Sequence, residues 1–463
     1  MDFLGRIALA LTRWSERWVP SSFVIAILLT FLVFVLAIAL TSATALQCVT
    51  FWGDGFWELL SFAMQMTLIM VSGYVVAASP PVDRALTRLA RLPRGPRSCV
   101  MLMAFLSMAL GMLHWGLSIV VSALMVRRFA RHEPRVDYRL LVTAGYLGMG
   151  LTWHAGLSAS APLLVATPGH FLERQMGIVP LGQTIFSPFN LILAFIVLGV
   201  FTLLIPLLHP RPGRALTVDP ALLVEETPRD GDAFTGHIST SASGPTAASA
   251  SGPAPTGFAT WIDHWPALGW LVGATGFVWL VQYFHGHGWT AVTLNVVNFT
   301  YLMLGVALHG RASRLVASAE EGMKLAGGVV LQFPFYAGIY GIIRGSGLTE
   351  VIGRAFAEAA TARTYPLFVY WYSGLVNYFV PSGGSKWAIE APYILAAGDL
   401  LQVAKPKIVL AYAWGDMLTD VIQPFWALPL LKAARLDFRH ILGYAMLVFI
   451  LYALLVSLAF WLA

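Results

Sequence analysis

The sequence predicts an all-α integral membrane protein with two inverted-topology repeats, about nine transmembrane helices and two opposed re-entrant hairpins. Three observations carry that expectation. Of 463 residues, 58% are hydrophobic and only 11% charged, whereas soluble globular domains carry about 25% charge. Apolar windows such as 23–40, 190–208 and 441–462 are long enough as helices to cross about 30 Å of hydrocarbon. Other apolar runs are broken by polar, glycine-rich stretches, above all Pro381-Ser382-Gly383-Gly384-Ser385-Lys386. Broken backbone and ionisable side chains at membrane depth belong where they face protein or a water-filled cavity.

The formal charge of +6 resides in short loops between apolar segments, the pattern that orients a chain in a bilayer, so lipid and not nucleic acid is the implied surroundings. Cys48 and Cys99 show no metal or disulfide spacing. Residues 1–21 place Leu4, Ile7, Ala8, Leu11 and Trp18 near one face, which suits an interfacial amphipathic helix as well as an ordinary N-terminal extension. The first membrane repeat, 22–210, has apolar segments near 22–41, 56–79, 98–127, 139–167 and 187–208. Residues 211–258, rich in Pro, Gly, Ser, Thr and Ala, read as a disordered cytoplasmic linker. A connecting transmembrane helix, 259–289, precedes the second repeat, 290–463, with segments near 290–309, 324–344, 366–398, 408–433 and 441–462.

A shift of 267 positions brings Gln65 onto Gln332, Ser79 onto Ser346, Gly116 onto Gly383 and Ser118 onto Ser385. It also aligns Gly148, Leu151, Thr152, Pro162, Leu163 and Leu164 with Gly415, Leu418, Thr419, Pro429, Leu430 and Leu431, an internal repeat. Segment 98–127 is flanked by arginines on both sides (Arg84, Arg88, Arg91, Arg94 and Arg97; Arg127, Arg128, Arg131, Arg135 and Arg139), so both its ends are expected in the cytoplasm. That makes it a hairpin. Counting onward, segment 366–398 becomes a second hairpin entering from the opposite side.

The hairpin tips and the broken middles of 139–167 and 408–433 then converge. Ser382, Gly383, Gly384, Ser385 and Lys386, with His114, Gly116, Ser118, His154, Ser158 and Ser160, are the candidate substrate residues, because half-helix N-termini and hydroxyls attract a carboxylate. Asp416, Thr419, Asp420 and Thr152 are the candidate ion-coupling residues, with Asp416 and Asp420 as a possible Na⁺ site or proton carriers; no other cofactor is expected. Each has a plainer reading. Lys386 and Glu390 can be only an i,i+4 pair, the histidines only packing, and Gln65 and Gln332 only interhelical bonds. Gly383-Gly384-Ser385-Lys386 lacks the order of a phosphate-binding loop. Ser382 or Ser385 with Lys386 as base would make an intramembrane hydrolase, for which the first hairpin has no matching lysine.

The motifs Val380-Pro381-Ser382-Gly383-Gly384-Ser385-Lys386-Trp387, Gln423-Pro424-Phe425-Trp426-Ala427-Leu428-Pro429, Phe51-Trp52-Gly53-Asp54-Gly55-Phe56-Trp57, Val330-Leu331-Gln332-Phe333-Pro334-Phe335-Tyr336 and Ala166-Thr167-Pro168-Gly169 resemble the short-chain fatty acid transporter family. The resemblance implies uptake of a short monocarboxylate such as acetoacetate or butyrate across a bacterial inner membrane, and kinship with ion-coupled transporters that use opposed hairpins. The resulting expectation is a secondary active symporter using H⁺ or Na⁺. A passive small-anion channel and the Ser/Lys hydrolase are its rivals, and monomer and homo-oligomer both remain open.

Overall fold

The computed structural model describes residues 20, 22–211, 213–218 and 257–463. The expected interfacial helix over 1–21 and nearly all of the linker over 211–258 therefore lie outside the described residues. Among those described, every regular element is helical.

Helix α1 (Ser22–Leu40) leads into α2 (Ala45–Gly55), which a Thr44/Gln47 capping box starts. The expected segment 56–79 is α3 (Leu60–Ala77), so the aromatic stretch before it closes a separate short helix. Helix α4 (Pro80–Leu89) carries exposed Arg84 and Arg88 and is tied through Asp83 to Arg128. Helices α5 (Pro96–Leu113) and α6 (Trp115–His132) form the first helical hairpin. Its turn is a single residue, His114, whose backbone is extended and whose Nδ1 accepts the Leu117 N–H at 3.3 Å. That bond satisfies one of the orphan donors of α6.

Segment 139–167 is discontinuous. Helix α7 (Tyr138–Leu147) passes into a π-turn (Gly148–Thr152) and a 3₁₀ turn (Trp153–Ala155), and the chain becomes helical again as α8 (Ser160–Val165). After α9 (Glu173–Met176), helix α10 (Pro188–Leu204) completes the first half. The second half contains α11 (Phe258–His264), α12 (Pro266–His287), α13 (Leu294–His309), α14 (Ala312–Ser346) and α15 (Leu348–Ala359). Helix α14 runs 35 residues and continues through Pro334, beginning well before the expected segment 324–344. Helices α16 (Tyr365–Phe379) and α17 (Gly383–Leu400) form the second hairpin. Helix α18 (Lys405–Asp420) stops at a turn before α19 (Leu428–Ala434), and α20 (Phe438–Leu462) ends the chain.

Among the described residues seven unbroken helices are long and apolar enough to cross a membrane, against nine expected spans of which two are broken. Six coincide with expected spans, and the seventh is α5, an arm of the first hairpin. The difference has a physical cause: α13 is only 16 residues long, and the other two expected spans are the broken ones.

The two halves are fastened in the same way. Thr152 Oγ1 donates to the Met108 carbonyl of the first hairpin at 2.9 Å, and Thr419 Oγ1 to the Gly374 carbonyl of the second at 2.8 Å. Ser107 Oγ donates to Ala144 O at 2.6 Å, and Ser373 Oγ to Tyr412 O at 3.2 Å. A Cβ on Gly148 would run into the Ser107 carbonyl, and one on Gly415 into the Tyr370 carbonyl. The glycines and threonines that recur at 267 positions thus hold each broken helix against a hairpin arm, the small-residue packing membrane helices use for close approach.

The two broken helices also meet each other. Trp153 Nε1 donates to Asp420 Oδ2 at 2.9 Å, and these two residues are 267 positions apart. Gly150 abuts Val421, while the His154 N–H meets the Met417 sulfur at 3.3 Å. Shifting 150 and 154 by 267 gives 417 and 421, so the two contacts are reciprocal. Reciprocal contacts of this kind are what a two-fold relation between like elements produces.

Candidate functional site

At this crossing lies a buried polar cluster. Lys386 emerges from the first turns of α17 and is wholly inaccessible. Its ammonium lies 3.0 Å from Asp416 Oδ1, donates to Ser373 Oγ at 2.5 Å and Ser373 O at 3.1 Å, and stands 4.2 Å from the centre of the Tyr412 ring. The contact with Asp416 is an ion pair and not an aligned hydrogen bond. The other Asp416 oxygen is 2.9 Å from His154 Nδ1. His154 Nε2 accepts the Ala161 N–H at 3.2 Å and lies 3.1 Å from Ser160 Oγ. An accepting Nε2 places the ring proton on Nδ1, so a neutral His154 donates to Asp416. One chain of contacts therefore joins the second hairpin to both broken helices.

Asp420 is held separately. Its carboxylate accepts from Trp153 Nε1 at 2.9 Å and from Asn377 Nδ2 at 2.8 Å, and the Tyr146 hydroxyl donates to its backbone carbonyl at 2.9 Å. Stacking of Trp153 on His154, with centroids 4.2 Å apart, packs the two groups side by side. Glu390 is fully buried one turn beyond Lys386, its nearer oxygen 3.8 Å from the ammonium.

The second hairpin's tip touches this cluster. Tyr412 OH donates to Gly383 O at 2.7 Å and Trp426 Nε1 to Pro381 O at 2.8 Å. A Cβ on Gly383 would stand 2.7 Å from Asp416 Oδ2 and 2.8 Å from the His154 ring, so glycine is required for the approach. Ser382, half-buried, provides no side-chain cap for α17; instead its hydroxyl accepts from Ser385 Oγ at 2.5 Å. The first N–H groups of an 18-residue helix thus end beside two hydroxyls, with Phe62 and Phe333 packed against Gly384. Positive helix ends of this kind favour a carboxylate.

The structure brings together His154, Ser160, Lys386, Asp416 and Asp420, with Gly383 at the edge and Gly384, Ser382 and Ser385 just beyond it. It places the other candidates elsewhere. Ser118 Oγ donates to Ser107 O at 2.7 Å, Ser158 Oγ accepts the Trp115 N–H at 2.8 Å, and Thr152 fastens its hairpin as described, while Thr419, which fastens the other, also accepts from Asn377 Nδ2 at 3.3 Å at the margin of the cluster. His114, whose ring also packs beside Gly116, lies under Tyr301 with ring centroids 4.2 Å apart and caps α6. The Lys386 ammonium bonds to Ser373 and not to Ser382 or Ser385, so the serine–lysine pair needed by a hydrolase is not assembled. Among the described residues no group of His, Cys, Asp and Glu is arranged to hold a metal ion. The carboxylates at 416 and 420 face nitrogen donors, whereas Na⁺ requires oxygen ligands. Gln65, read as an interhelical bond, donates to Asn295 on α13 at 2.8 Å. Ser373, Asn377, Trp153 and Tyr412 are cluster residues that sequence reasoning missed. Ser373 and Asn377, four apart in the apolar run of α16, were the available signal.

Residues 3–463 match the family model described as short chain fatty acid transporter. Over 441 residues the chain is 36% identical to a protein of Escherichia coli (strain K12) named "Putative short-chain fatty acid transporter", covering 95% of this chain and 96% of the relative. A relative of the same name from Haemophilus influenzae is 31% identical over 450 residues, 96% of each chain. Among solved structures, the YdaH transporter of Alcanivorax borkumensis is similar with a TM-score of 0.56 at 17% identity, over 95% of this chain and 98% of that one, a likeness of fold.

Proposed function

Because the chain belongs to the short-chain fatty acid transporter family, and is thus a multi-pass membrane transporter and not an enzyme, we propose that it carries a short monocarboxylate of the acetoacetate or butyrate kind across the bacterial inner membrane together with a proton. The observation that carries this reading is the wholly buried chain Lys386–Asp416–His154, which links the second hairpin to both broken helices. A lipid-facing or purely structural helix gains nothing from such a cluster, since burying ions costs several kcal/mol each before pairing repays it. At the hairpin tip the uncapped N-terminus of α17, with Ser382 and Ser385, is suited to the carboxylate, and Phe62 and Phe333 offer an apolar wall for the short tail.

A proton suits the coupling role better than Na⁺, because Asp416 and Asp420 are surrounded by the nitrogen donors of Lys386, His154, Trp153 and Asn377. The reciprocal contacts between the broken helices support repeats of inverted orientation, with hairpins entering from opposite sides and alternating access about the shared site. Uptake of radiolabelled butyrate or acetoacetate into proteoliposomes, with pH and Na⁺ gradients imposed separately and protein-free vesicles as the blank, tests the reading. Acceleration by an inward proton gradient alone is expected. Sodium-driven uptake would replace the proton, and uncoupled anion conductance would replace the transporter by a channel.

A further inference from the structure

Glu390 stands apart from the rest of the cluster. Its side chain is fully buried on α17, and neither carboxyl oxygen has a hydrogen-bond partner among the described residues. The charged and titratable groups facing it are Lys386 and Tyr393 on its own helix, Asp416 and Tyr412 on α18, and Tyr372 on α16. Lys386 is the one cation in that set, and at 3.0 Å from Asp416 against 3.8 Å from Glu390 it is committed to Asp416. A single ammonium cannot neutralise both carboxylates, and a buried carboxylate with no donor is among the costliest groups a fold can hold.

We propose that Glu390 is the residue that takes up and releases the coupling proton, and that Lys386 is the switch it controls. With a proton on Glu390 the ammonium rests on Asp416, the arrangement described here. When that proton leaves for water on the far side, the ammonium shifts across to the Glu390 carboxylate, one turn away on the same helix. Asp416 then loses its cation and keeps only the His154 N–H, which loosens the tie between the hairpin and the broken helices beside Gly383. The Tyr372 and Tyr393 hydroxyls, 2.9 Å apart with Tyr372 half-buried and Tyr393 buried, are the hydroxyl groups among the titratable neighbours of Glu390 on the α16 side of α17. No bond other than O–H is made or broken.

The inference rests on the proton-coupled reading above, and reconstituted wild type separates the two. Wild-type protein, Glu390→Gln and Glu390→Asp are compared for initial butyrate uptake under an inward pH gradient and for butyrate counterflow at equal pH, each above protein-free vesicles. A gradient of one pH unit is worth a factor of about ten per coupled proton. Glu390→Gln, an isostere of the protonated acid, is expected to keep counterflow within about twofold and to lose that acceleration, whereas Glu390→Asp retains part of it with a displaced pH profile. Gradient-driven uptake by Glu390→Gln equal to wild type overturns the proposal, as does loss of counterflow in a variant that still melts cooperatively. Should Glu390→Gln not fold, a Glu390→Asp pH profile identical to wild type overturns it instead. A wild type that answers to no proton gradient refutes the coupling reading, not the assignment of Glu390 alone.

Discussion

Removing the charge of Lys386 tests the cluster's physical basis most directly. In Lys386→Met an unbranched side chain one atom shorter remains, but Asp416 and Glu390 lose the one cation within reach. Removing one partner of a buried pair costs about 3–5 kcal/mol, because the other charge is left buried and uncompensated. Asp416→Asn alone should cost less, since Lys386 keeps both Ser373 acceptors and the Glu390 carboxyl. The informative protein is the double variant. If pairing sets the penalty, Lys386→Met/Asp416→Asn is more stable than the sum of the two single changes by about 2 kcal/mol or more, because Glu390, protonated while the ammonium rests on Asp416, adds no second uncompensated charge. Denaturant unfolding in detergent micelles, followed by tryptophan fluorescence, measures all four corners of the cycle. A coupling energy within about 0.5 kcal/mol of zero would refute the argument, because independent sites add to that precision.

Gly383→Ala puts a Cβ 2.7 Å from Asp416 Oδ2 and from the Trp153 ring, so it should displace the hairpin tip, cost about 1–3 kcal/mol and abolish uptake, as measured in proteoliposomes. Asn377→Leu removes the donor at 2.8 Å from Asp420 Oδ1; the same unfolding assay should register a loss of about 1–3 kcal/mol, and an unchanged midpoint would mean that water satisfies the carboxylate. The inverted arrangement is open to cysteine labelling, because Cys48 and Cys99 are buried and Arg94 and Thr361 are exposed at the feet of the first and second hairpins. A membrane-impermeant maleimide should label Thr361→Cys in intact cells and Arg94→Cys only after permeabilisation; labelling of both from one side would rule out opposed hairpins.

Much of the architecture was legible because membrane helices announce themselves by length and apolarity, and interruptions by Gly, Pro and Ser. Segment 139–167 is interrupted in its middle as expected, by a π-turn over Gly148–Thr152 and a 3₁₀ turn over Trp153–Ala155 before the helix resumes at Ser160, and Ser382 to Lys386 sits at a helix start. What one sequence could not give was the partner of each polar side chain. Thr152 and Thr419 read as cation ligands because a hydroxyl in an apolar run has the same appearance whether it faces an ion or a neighbouring carbonyl; here both face carbonyls. Lys386 and Glu390 presented an i,i+4 pair by spacing, yet the ammonium lies closer to Asp416 on another helix. Spacing fixes which groups can meet on one helix, and only packing between helices decides which do.

That packing also explains why chemistry is concentrated in one half although the fastening is shared. The reciprocal contacts place Trp153 and His154 against Asp420 and Asp416 where like elements of the two halves cross. A side chain beside such a crossing meets the equivalent of its own neighbour, so identical halves would set carboxylate against carboxylate at close range. Like charges there would cost several kcal/mol. The chain avoids this by supplying aromatic and imidazole N–H donors from the first half and carboxylates from the second. Divergence of the halves at these positions is then a requirement of the crossing itself, and it leaves the first hairpin, tipped by His114 bonded to its own backbone, as the mechanical counterpart of a second hairpin that carries the charge.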